Sequence, residues 1–60
     1  MTPKEMLRYL KRKGFKEVKG KSGHQKMKNE DTGRQTVIPM HAKELSKVRE
    51  REILEQAGLN

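Results

Sequence analysis

No cysteine occurs anywhere in these sixty residues. That absence limits the possible folds more than any other feature of the chain. It excludes the disulfide staples and thiolate metal sites on which very small proteins often rely. What remains is a core of apolar side chains, helped where necessary by a partner. Apolar residues make up 30% of the chain, and only Tyr9 and Phe15 are aromatic. That supplies about a dozen side chains for an interior, as expected for so short a chain. Charged residues make up 38%, a balance that leans toward disorder unless the apolar positions are periodic.

They are periodic. TPKEMLRYLKRKG begins as a helix, with Thr2 at the N-cap, Pro3 at the first helical position and Glu5 completing a capping box. Met6, Leu7 and Leu10 form one stripe, while Lys4, Arg8, Lys11 and Arg12 fall on another face. Gly14 suits the position just past the helix end, and Phe15 packs back after it. FKEVK at 15–19 reads as a short strand and GKSG as a flexible connection. HQKMK at 24–28 alternates, with Gln25 and Met27 on one side and His24, Lys26 and Lys28 on the other. NEDTG is a turn, and QTVIP a β-branched strand ended by Pro39. After a link at 40–45, Ser46 caps a second helix with Ile53, Leu54 and Ala57 as its stripe, Gly58 past its end and Leu59 folding back. Glu50 falls within that stripe, in conflict with simple burial unless it lies at a rim or meets a base.

The predicted order is helix, three antiparallel strands, helix, in one domain over residues 1–60. Two helices with one apolar stripe each and a sheet with one face to cover predict an α+β fold with both helices on the same sheet face. If Met27 faces the helices, His24, Lys26 and Lys28 face away from them.

Charge is distributed unevenly. Residues 1–28 hold ten basic and two acidic side chains, a net of +8, and residues 29–60 hold five basic and six acidic, a net of −1. A basic half of this kind points to a polyanion, above all nucleic acid. Its densest part is KGKSGHQKMK at 19–28, with four lysines, two glycines, one histidine and no acid.

That composition suits RNA cleavage without a metal. The 2′-hydroxyl of the substrate attacks its own phosphodiester. The protein then supplies a proton acceptor, a proton donor and positive charge. Histidine carries protons near neutral pH, and lysines or backbone N–H groups stabilise the phosphate. His24 is the candidate general acid/base. Lys19, Lys21, Ser22, Gly23, Lys26 and Lys28 are the candidate RNA-binding residues, and the glycines at 20 and 23 leave room for a sugar–phosphate backbone. His41, at a strand end, is expected to bond backbone or a neighbouring loop. No metal site and no cofactor is expected.

Several motifs together carry a family resemblance. The first helix ends at Gly14-Phe15, a glycine–serine–histidine loop follows, Thr36-Val37-Ile38-Pro39-Met40-His41 closes a strand, and ILEQAGL ends at Leu59. This succession resembles the HicA toxins of bacterial toxin–antitoxin pairs over nearly the whole chain. The resemblance implies a double-stranded-RNA-binding-domain-like fold, metal-independent mRNA endoribonuclease activity, and neutralisation by a HicB antitoxin that covers the active surface. It places the catalytic histidine at His24 and gives His41 no catalytic role. Where the family reads Gly-Ser-His, this chain reads Ser22-Gly23-His24, and the histidine keeps its place.

The other reading of the same residues is an RNA-binding module of similar topology without catalysis. A DNA-binding accessory is disfavoured, since no recognition helix with base-reading residues is evident. No signal peptide or apolar run of membrane-spanning length is visible, so a cytoplasmic protein is expected.

Overall fold

A computed structural model describes residues 1–20 and 22–59. Helix α1 (Pro3–Arg12) is followed by strands β1 (Lys16–Val18), β2 (His24–Lys28) and β3 (Gln35–Pro39), and then by helix α2 (Lys47–Gln56). The strands form one antiparallel sheet in the order β1-β2-β3. This is the α+β arrangement expected from the sequence.

Local chemistry sets the ends of both helices. At the start of α1, Thr2 Oγ1 accepts from the Glu5 N–H at 3.2 Å, and the Glu5 carboxylate accepts from the Thr2 N–H at 2.7 Å. The bond from the Thr2 backbone holds the Glu5 carboxyl below its usual pKa. Ser46 caps α2 in the same way, accepting from the Arg49 N–H at 3.1 Å. Both helices stop by one device, a glycine at positive φ followed by an apolar residue that folds back. Gly14 has φ +93°, and Phe15 N donates to Leu10 O at 3.0 Å. Gly58 has φ +73°, and Leu59 N donates to Leu54 O at 2.9 Å.

The end of α1 also explains why β1 is shorter than the expected 15–19. The Phe15 N–H is committed to the helix and its side chain to the core, where it is buried. Strand pairing therefore begins at Lys16.

Met6 and Leu10 of α1, Met27 and Ile38 of the sheet, and Ile53 and Ala57 of α2 are buried in one cluster with Phe15 and Leu45. Both helices therefore cover the same sheet face. Thr36, buried on that face, donates through Oγ1 to Gln56 Oε1 of α2 at 2.9 Å. Leu45 lies in the segment expected to be only a link. It is anchored by its N–H, which donates to the Met1 carbonyl at 2.8 Å.

Glu50 resolves its conflict at a rim. Its carboxylate accepts from the Met1 ammonium, and that bond raises the ammonium pKa above its usual value. The hairpin between β2 and β3 is organised by a buried Asn29. Its Oδ1 accepts from the N–H groups of Asp31 (2.9 Å) and Thr32 (3.3 Å), while its Nδ2 donates to Lys13 O at 3.2 Å. One side chain thus closes the turn and ties it to the end of α1.

Candidate nucleic-acid interface

The sheet face away from the helices follows from the register. Lys26 is flanked by Val18 and Val37, Lys28 by Lys16 and Gln35, and His24 is paired with Pro39. None of these rows holds an acidic residue. Glu17 is the sole acid in the three strands, and it alternates to the helix side, where it forms an ion pair with Lys11 of α1. The open face is therefore cationic without internal compensation, and β2 sets His24, Lys26 and Lys28 about 6.8 Å apart along it.

His24 is exposed at the first position of β2, while Lys26 and Lys28 are half-buried. Val18 and Val37 flank Lys26 on this face, a setting in which a lysine lays its stem on apolar neighbours and keeps its ammonium in water. An open groove is lined by Lys19, Gly20, His24, Lys26 and Val37. Val37, 41% exposed, gives this groove an apolar wall against which a ribose or base ring can rest. Of the residues expected to bind RNA, the structure brings Lys19 and Lys26 together with His24 in this groove. Lys28 lies further along the same face, next to Lys16. Ser22 and Gly23 are exposed in the turn before β2. Lys21 lies outside the described residues.

The glycines are needed by the protein's own packing. A Cβ on Gly20 would lie 2.8 Å from His24 O and 3.2 Å from Lys26 N, both backbone atoms of β2. Gly23 has φ +80°, and a Cβ there would approach His41 Nδ1 to 3.1 Å. Gly20 thus lies tightly against the strand that carries His24, and Gly23 against the His41 ring.

His41 belongs to this site, a placement that sequence reasoning missed. Its Nδ1 lies 3.0 Å from Gly23 O, the backbone contact expected of it. Its ring also meets His24, with centroids 5.2 Å apart and planes at 72°. The available signal was the strand pairing: once His24 lies opposite Pro39, a residue two positions beyond Pro39 falls beside the start of β2.

Among the described residues, no three His, Cys, Asp or Glu side chains are placed to share a metal ion. No helix among them is long and apolar enough to cross a membrane. The face can therefore offer cations for phosphates, a ring-sized apolar wall and two exposed imidazoles in contact with each other.

A search of curated proteins finds no match. A family model described as the HicA toxin of bacterial toxin–antitoxin systems matches residues 3–59, from the first residue of α1 to the apolar residue that closes α2. The chain belongs to the HicA toxin family, the toxin half of a bacterial toxin–antitoxin pair.

Proposed function

We propose that the protein is an endoribonuclease that cleaves mRNA in the cytoplasm on the open face of its sheet, without a metal, and is held in check by a HicB-type antitoxin. The observation that carries this reading is the exposed His24 imidazole in a groove with Lys19 and Lys26, on a sheet face whose strand positions carry no acid.

The lysines hold the phosphates, with Ser22 and Gly23 exposed in the turn that leads into β2. His24 then takes or gives a proton as the 2′-oxygen attacks phosphorus. Because the substrate supplies its own nucleophile, the chain needs only to orient the phosphodiester, move protons and stabilise the added charge. A HicB-type protein that covers this face removes both the lysines and the imidazole from reach. It also supplies the additional buried area that a core of eight side chains lacks.

The test is end-group analysis of RNA incubated with purified protein in excess EDTA. The expected products carry 2′,3′-cyclic phosphates and 5′-hydroxyls. RNA that is bound but recovered at full length would instead favour the non-catalytic binding module.

A further inference from the structure

In-line attack by a 2′-oxygen requires two proton transfers on opposite sides of phosphorus. One proton leaves the attacking hydroxyl and one reaches the departing 5′-oxygen. A single imidazole beside the 2′-hydroxyl serves the first. Lysine, with a reference pKa of about 10.4, gives up its proton reluctantly at neutral pH. The chain contains two histidines and no cysteine, and the rings of the two histidines touch.

We infer that His41 is the proton donor that completes the site, acting through Nε2 on the leaving oxygen while His24 accepts the proton of the 2′-hydroxyl. This rests on the ribonuclease reading above. The geometry that supports it is the bond to Gly23. A carbonyl oxygen only accepts, so the 3.0 Å contact places a hydrogen on His41 Nδ1. Nδ1–H is present in the neutral ring and in the imidazolium alike. The bond therefore holds in both protonation states and confines the exchangeable proton to Nε2. The same carbonyl accepts from the Met40 N–H at 2.9 Å, so the anchor is itself pinned to the end of β3. Gly23 directly precedes His24, so the carbonyl that holds the His41 ring belongs to the residue next to the one bearing the second ring, and the two rings meet with centroids 5.2 Å apart.

The reaction balances with these two groups alone. Neutral His24 takes the 2′-hydroxyl proton as the O2′–P bond forms. The P–O5′ bond breaks, and the His41 imidazolium gives its Nε2 proton to O5′. The products are a 2′,3′-cyclic phosphate and a 5′-hydroxyl. The two histidines end with exchanged protonation states, which solvent resets.

The test compares the full-length wild type, His41→Asn and His24→Ala on two RNA oligonucleotides that share a mapped cleavage site. One has the ordinary linkage, and the other has sulfur in place of the bridging 5′-oxygen. Sulfur departs without a proton. Asparagine keeps an N–H able to reach Gly23 O but has no equivalent of Nε2. His41→Asn should melt with the wild type, cut ordinary RNA about 10²–10⁴-fold more slowly, and cut the sulfur-bridged RNA at close to the wild-type rate. His24→Ala should remain slow on both. If His41→Asn cuts ordinary RNA within a few-fold of the wild type, or if sulfur fails to restore its rate, His41 is not the donor, while the ribonuclease reading stands. If the wild type cuts neither RNA, the ribonuclease reading itself is lost.

Discussion

His24→Ala should slow RNA cleavage by about 10²–10⁴-fold and abolish growth inhibition, while affinity for RNA and thermal stability remain near wild type. The separation of these effects follows from where the ring lies. His24 is exposed and absent from the core, so its removal opens no cavity. Phosphate contacts carry most of the affinity of a basic face, and the lysines that make them are untouched. On the proposed mechanism, cleavage alone depends on proton transfer by this imidazole. Gel assays of cleavage, titrations of binding at fixed salt and a thermal melt read the three effects independently. An alanine variant that still cuts within a few-fold of wild type would remove His24 from the chemistry.

Met27→Ala should give the opposite pattern, a collapse of stability that takes activity with it. Met27 is fully buried at the centre of the sheet, opposite Glu17 on one side and Thr36 on the other. Truncating a buried methionine costs about 2–5 kcal/mol, partly through lost transfer energy and partly through the cavity left behind. A chain of sixty residues has roughly 3–9 kcal/mol in all, so this one change removes much of the total. Because Met27 lies between Lys26 and Lys28, unfolding the central strand also disperses the cationic face. A urea titration in which the midpoint hardly moves would show that the core is not organised around this side chain. Antitoxin binding should restore part of the loss, since a partner that binds only the folded form stabilises it by mass action.

The helix boundaries were legible because they are written in local chemistry. Thr2 with Glu5, Ser46, Gly14 and Gly58 each act within a few residues of their own position. The two faces of β2 were legible for a similar reason: alternation fixes which side chains share a side, whatever the partner strand. Pairing register was not. It depends on how the residues between β2 and β3 turn, and that turn is set by Asn29 bonding forward to Asp31 and Thr32 and back to Lys13. Without the register, the meeting of His24 with His41 could not be read, although each ring was visible in the sequence. Leu45 escaped notice for a comparable reason. A lone apolar residue in a polar link carries no period, and its burial follows from the fold rather than from its neighbours.

Taken together, the register puts His24 and the strand lysines on one sheet face and the buried cluster on the other. Glu17 shows how strict that division is. The one acid in the strands points to the helices and pairs with Lys11, so the open side keeps its charge.

The central claim is that the RNA supplies the nucleophile and this face merely orients it and moves protons. The most direct measurement uses an oligonucleotide with a single 2′-deoxy substitution at a mapped cleavage site. Cleavage there should disappear while binding is unchanged. Cleavage that continues at the deoxy position would contradict the account.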